Sequence, residues 1–184
     1  MRRIGRLNEH VSPKGLQDTV PVVLVGKRGS KCSPFLKIEK DEDKFAACNA
    51  LADDVGPVNE PKKAYLLIED AIGDEVNEVF GVMMLDIHLR FKGFSETGRG
   101  ESSSVMAPVR PTLQIALMYG ADAAIIYHVH PSGMKAEPSE ADEETTDAFV
   151  EAFAAAGLPL LDHVIVGGDK RRRSYYSFAE AGAL

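Results

Sequence analysis

Apolar positions along the chain fall into short runs separated by Gly, Pro and charged stretches, and the period of each run predicts an element. Val20 to Val25 reads as a strand closed by the turn-rich Gly26 to Ser33, and Phe35 to Glu39 as a second short strand. Asp41 to Val55 sets Phe45, Ala46, Cys48, Leu51 and Ala52 at helical spacing behind an acidic first turn. Lys63 to Glu69 and Glu78 to Leu85 are continuous apolar runs, expected as strands covered on both faces, with the end of a helix as the alternative for the first. Asp86-Ile-His88 reads as a turn into a partner strand, Leu89 to Phe94, with His88 a turn residue rather than a ligand. Ser95 to Met106 is polar and reads as a flexible loop, either bordering a groove or a plain solvated connection. Pro108 to Tyr119 predicts a helix with Val109, Leu113, Ala116 and Leu117 on its inner face, stopped by Gly120. Ala121 to Tyr127 is short, apolar and partly β-branched, the pattern of a buried strand. A second helix is expected over Ala141 to Ala156, with Phe149 and Phe153 facing inward and Gly157 ending it. Two closing strands, Leu161 to Val166 and Ser174 to Phe178, flank a Gly-Gly-Asp-Lys-Arg-Arg-Arg hairpin turn. Strands alternating with helices make the fold class α/β.

Composition narrows this picture. A chain of 184 residues fits one domain carrying an N-terminal extension, and the expected division is residues 1–60 for the accessory segment and 61–184 for the domain. Residues 1–19, polar and broken by Pro13 and Gly15, read as an arm. With 45% hydrophobic residues the chain can bury a real core. A net charge of −7 argues against a nucleic-acid surface built on overall charge, and the basic run Lys170 to Arg173 reads as a solvated turn. Two cysteines, Cys32 and Cys48, cannot build a disulfide framework and suit a reducing compartment. No apolar run has the length of a membrane span, and Met-Arg-Arg-Ile-Gly-Arg lacks a leader's apolar segment, so the expected location is cytoplasmic. Gly26-Lys-Arg-Gly-Ser-Lys lacks the spacing of a phosphate loop.

The chemistry concentrates in residues 128–142, His-Val-His-Pro-Ser-Gly-Met-Lys-Ala-Glu-Pro-Ser-Glu-Ala-Asp. Residues two apart on a strand share a face, so His128 and His130 project side by side at the end of the Ala121–Tyr127 strand. Pro131 and Gly133 break the strand, and Pro138-Ser139 starts a helix whose first turn holds Asp142. Two imidazoles and one carboxylate leave a position open on a tetrahedral zinc, the catalytic rather than the structural pattern. Such a set also accepts other divalent ions. Ser139-x-x-Asp142 is equally a capping box, which accounts for both residues without any metal. His163, in a closing strand, reads as a packed histidine or as support for the site.

His-x-His-Pro-Ser-Gly followed by Pro-Ser-x-x-Asp resembles the RadC-type branch of the JAB/MPN (JAMM) metalloprotease superfamily. Pro108-Val-Arg-Pro-Thr-Leu-Gln-Ile-Ala-Leu, Leu160-Leu-Asp-His-Val-Ile-Val-Gly and Tyr175-Tyr-Ser-Phe are also similar to that branch, in order, over roughly residues 75–180. The chain departs from the family pattern in one extra residue in the Met134–Glu137 loop and in Val129, where the branch usually carries Asn. The resemblance implies a curved mixed sheet flanked by helices, with Zn²⁺ held by His128, His130 and Asp142. It further implies zinc-dependent hydrolysis of a peptide or isopeptide bond, including the bond joining a ubiquitin-like modifier to a lysine. Glu78, at the start of the Val79–Leu85 strand, matches the family glutamate that takes the proton of the attacking water; Glu75 is the rival. Ser139 would donate a hydrogen bond to the oxyanion. The partner implied is a protein or peptide substrate; a second copy in a homodimer is allowed though not required, while the charge argues against nucleic acid and the run lengths against a membrane. Two other readings stand beside this one: a DNA-repair-associated protein, as the naming of RadC-like proteins suggests, and a non-catalytic interaction module.

Overall fold

The computed structural model describes residues 24–26, 42–72, 77–100, 108–130, 133–169 and 172–184. In chain order they form β1 (Leu24–Gly26), α1 (Glu42–Val55), α2 (Pro61–Ile72), β2 (Glu78–Leu85), β3 (Phe91–Gly100), α3 (Val109–Met118), β4 (Ala123–Val129), α4 (Glu140–Ala155), β5 (Leu160–Asp169) and β6 (Arg172–Ser177). The strands make one mixed sheet in the order β1-β3-β2-β4-β5-β6. Every pairing is antiparallel except β4 with β5, the two strands joined through α4. A parallel pair needs a crossover of this kind, since a tight turn cannot reverse the chain twice.

Period-two burial divides the core between the two faces of the sheet. On one face Val79, Met83, Ile125, Tyr127, Val129, Val164 and Val166 pack with Cys48 of α1 and with Ala64, Leu67, Ile68 and Ala71 of α2. On the other, Phe80, Val82, Met84, Ala124 and Ile126 pack with Ile115 and Ala116 of α3 and Phe149 and Phe153 of α4. The even-numbered residues of β2 and β4 therefore look toward α3 and α4, which sets Glu78 and His128 on one face.

Three sequence expectations change. Lys63 to Glu69 is part of helix α2, not a strand. Its buried residues fall at 64, 67, 68 and 71, the spacing of a single helical face, while Leu66 is 36% exposed. A run covered on both faces, as in β2, is buried at every position from Val79 to Leu85. Strand β3 continues to Gly100, so the front half of the expected loop is strand. Its buried polar side chains are paired: exposed Arg99 donates through Nε and Nη2 to the two carboxylate oxygens of buried Glu96 at 2.7 and 2.8 Å, and the buried Thr112 hydroxyl meets that of Thr97 at 2.8 Å. Residues 101–106 of that loop, the arm, the Gly26–Ser33 turn beyond Gly26 and the Phe35–Glu39 strand lie outside the described residues. On α3 the inner stripe centres on Thr112, Ile115 and Ala116, with Leu117 49% exposed. A threonine is buried there because Thr97 answers it, which apolar periodicity alone does not register. The turn at Asp86 is as expected: its carboxylate accepts from the backbone N–H of exposed His88 and of Arg90, both at 2.8 Å. Among the described residues no helix is long and apolar enough to cross a membrane.

Candidate metal centre

His128 lies on the α3/α4 face of β4, and His130 follows the strand's last residue. The His130 backbone N–H still donates to Val166 of β5 at 2.8 Å, so the second histidine stays in register with the sheet. The two rings stand edge to face with centroids 4.7 Å apart. Asp142 arrives from the other direction, as the third residue of α4. Ser139 caps that helix with φ −94° and ψ 168°, an extended conformation that leaves its side chain beside the helix N–H groups. The capping box is complete. Ser139 Oγ accepts from the Asp142 N–H at 3.3 Å and donates to Asp142 Oδ2 at 2.6 Å, and the Ser139 N–H donates to the same oxygen at 2.8 Å. This fixes Oδ2 and turns Oδ1 toward His128 Nδ1, 2.8 Å away. Glu78 reaches the same ring from β2, its Oε1 2.6 Å from His128 Nε2.

One ligand atom each from His128, His130 and Asp142 falls within a 4.8 Å span. The donor set fits a divalent ion of the zinc type: two imidazoles and a carboxylate, two of the three residues buried. The tautomer of His130 fits as well. Its Nδ1 meets the Lys135 carbonyl at 2.6 Å; a carbonyl accepts only, so Nδ1 carries the proton and Nε2 keeps its lone pair for a ligand role. The field has the same sign. Burial alone would push the His128 imidazole down, but its bonds to Asp142 and Glu78 outweigh that and raise it to about 9. Asp142 shows the same balance, with burial pushing its carboxyl up and His128 and Ser139 holding it well below the usual carboxylate range. Glu78 is lowered chiefly by its bond to His128, against the effect of burial. Two ionised carboxylates converging on one ring favour positive charge between them.

The loop with the extra residue does not displace these groups. Gly133 N–H donates to Gly168 O at 3.2 Å, and the Gly168 N–H returns a bond to Met134 O at 2.5 Å, so β5 holds the loop flat. Gly167 makes room for it: a Cβ there would lie 2.6 Å from the Lys135 carbonyl carbon. Ala136 then packs on Ile165 and Phe178.

A family model, the RadC-like JAB domain, matches residues 58–183. The chain belongs to the RadC-like JAB domain family. Among its relatives are a UPF0758 protein of Methylibium petroleiphilum, 40% identical over 122 residues (66% of this chain and 52% of the relative), and one of Nitrosococcus oceani, 42% identical over 107 residues (58% and 46%). A third, from Janthinobacterium sp., is 35% identical over 127 residues (69% and 54%). The chain spans about half the length of the curated relatives it matches.

In this RadC-like JAB domain the expected site residues Glu78, His128, His130, Ser139 and Asp142 come together from β2, β4 and the start of α4. Glu75 lies outside the described residues. The sequence reading missed two participants. One is the Lys135 carbonyl, a backbone group with no residue-type signature. The other is Thr146, which donates to the Asp142 carbonyl at 2.6 Å and meets His163 Nδ1 at 2.7 Å. Its place one helical turn after Asp142 was the available clue. His163 is fully buried, and burial, followed by the nearby positive His128, pushes its imidazole down to about 3, leaving it neutral.

Proposed function

We propose that this RadC-like JAB domain is a zinc-dependent hydrolase that cleaves a peptide or isopeptide bond in a protein substrate. The observation that carries the proposal is the convergence of His128, His130 and Asp142 within 4.8 Å, with the Glu78 carboxylate 2.6 Å from His128. Zinc held by those three residues would act as a Lewis acid, polarising an amide carbonyl and lowering the pKa of an attacking water toward neutrality. Glu78 is ionised at neutral pH, since its carboxyl is lowered, and its oxygens accept the proton as attack begins. The same oxygens return that proton to the leaving amine. Ser139 supplies the oxyanion donor: its hydroxyl turns from Asp142 Oδ2 to the substrate oxygen, while the Ser139 N–H keeps Oδ2 in place.

A protein or peptide partner, with a homodimer allowed, suits a chain of net charge −7, which offers no overall attraction to a phosphate backbone. A cytoplasmic setting is part of the proposal and is supported by the cysteine count: two in 184 residues cannot build the disulfide framework of an oxidising compartment. The bond between a ubiquitin-like modifier and a lysine is the first isopeptide substrate to try. The test is metal content by mass spectrometry beside His128→Ala and Asp142→Ala, then turnover of peptide and isopeptide substrates. About one zinc per chain in the native protein, lost in both variants, with Glu78→Gln retaining zinc but not turnover, supports the hydrolase. A native chain that holds no metal when zinc is supplied sinks it and leaves the interaction module.

A further inference from the structure

His163 has no part in the chemistry just proposed, yet it occupies a costly place. Its ring is fully buried, stacked on Phe178 at 4.8 Å with 7° between planes and set edge-on to Phe80 at 5.9 Å. Among the described residues no group meets its Nε2. A phenylalanine would fill the same apolar slot without burying a ring nitrogen away from a partner, so packing gives no reason for a histidine. The reason lies at the other nitrogen. The Thr146 hydroxyl spends its one proton on the Asp142 carbonyl at 2.6 Å. It can therefore only accept from His163, which makes Nδ1 the protonated nitrogen of a 2.7 Å bond. The chain of contacts runs from β5 through His163 and Thr146 to the backbone of Asp142, in the first turn of α4. The groups that Asp142 must meet stand on β4, the strand beside β5.

We infer that His163 is a positioning residue: through Thr146 it ties the first turn of α4 to the sheet and sets the reach of the Asp142 carboxylate toward the two histidines. This rests on the metal-site reading and extends it to residues outside the ligand set. Partners that orient ligands in this way change metal affinity by about 10- to 100-fold when removed.

The test takes the full chain with Zn²⁺ alone as probe, in competition with a chromogenic chelator, for His163→Phe, Thr146→Val, the double variant and His163→Asn. The Asn amide nitrogen takes the place of Nδ1 and keeps the donor. Amide exchange across residues 142–146, measured with zinc chelated, reads the tie without the metal. Expected are a loss of zinc affinity of about tenfold or more in each of the first two variants, no further loss in the double, and recovery in His163→Asn. Exchange at the start of α4 should quicken in His163→Phe and slow again in His163→Asn. If His163→Phe leaves both unchanged, or His163→Asn is as weak as His163→Phe, the positioning role is wrong. Should His163→Phe fail to fold, Thr146→Val carries the same comparison. A native chain that binds no zinc would remove the hydrolase proposal, and the exchange data would still decide the tie.

Discussion

Gly167→Ala is expected to damage the candidate metal site from outside it. The added methyl would point at the backbone of the Met134–Ala136 loop, 2.6 Å from the Lys135 carbonyl carbon and 2.7 Å from Met134 O. Backbone held by bonds to Gly168 on one side and by Ala136 in a small core on the other cannot yield cheaply. Overpacking of this kind costs about 1–3 kcal/mol. Moving Lys135 also breaks its bond to His130 Nδ1, adding about 0.5–1.5 kcal/mol. A combined loss of about 1.5–4.5 kcal/mol lowers Tm by about 3–18 °C in a chain of this size. The sharper readout is zinc affinity: with the His130 tautomer no longer fixed, it should fall about 10- to 100-fold. Gly157→Ala is the control. That glycine has φ +68°, and a methyl added there would meet nothing within 4 Å, so its substitution costs roughly 1–2 kcal/mol of backbone strain and no zinc affinity. Equal zinc affinity for Gly167→Ala and Gly157→Ala would refute the claim that the loop orients His130.

Three further outcomes follow from the same contacts. Gly81→Ala would drive a methyl into the Tyr127 hydroxyl and the Ser95 carbonyl and should cost at least about 3 kcal/mol; a Tm within a few degrees of native would contradict that packing. His163 is neutral in the fold, with its pKa lowered from 6.5 to about 3, so its contribution is intact above pH 6.5 and is lost as pH falls toward 3. Between pH 7 and pH 5 the native chain should lose about 2 kcal/mol more than His163→Phe in urea unfolding, and equal losses would show that His163 does not titrate this way. Zinc at a hundred times its Kd should stabilise the native protein by about 2.7 kcal/mol, raising Tm by about 5–11 °C over protein in chelator, while His128→Ala and Asp142→Ala show no such difference.

How much of this was legible beforehand depends on how local each feature is. His128, His130, Ser139 and Asp142 could be read because strand alternation and helix capping act over two or three residues. The confusion of α2 with a strand has the same root: Ala64 to Ile68 is apolar nearly throughout, and the exposure of Leu66 separates the two cases only in three dimensions. Buried polar pairs such as Thr97 with Thr112 escape any pattern built on apolar residues, because each is buried on account of a partner 15 positions away. Glu78 is the extreme case, 50 positions from His128, and the family resemblance alone pointed to it.

What brings Glu78 to the site is register. β2 and β4 pair with Phe80 opposite His128 and Gly81 opposite Tyr127. A slip of one residue would turn Glu78 to the α1/α2 face and the site would lose its carboxylate. The Tyr127 side chain opposes that slip. It crosses β2 at Gly81, where a side chain would block it, and its hydroxyl donates to Ser95 O of β3 at 3.1 Å. One tyrosine thus joins three strands through the one position of β2 that has no side chain. Gly81 and Tyr127 stand on the face away from the candidate metal ligands, yet they fix which residue of β2 meets them. The Met134–Glu137 loop lies between elements whose positions are set elsewhere, by this register and by the Ser139 cap, and Gly167 leaves it room.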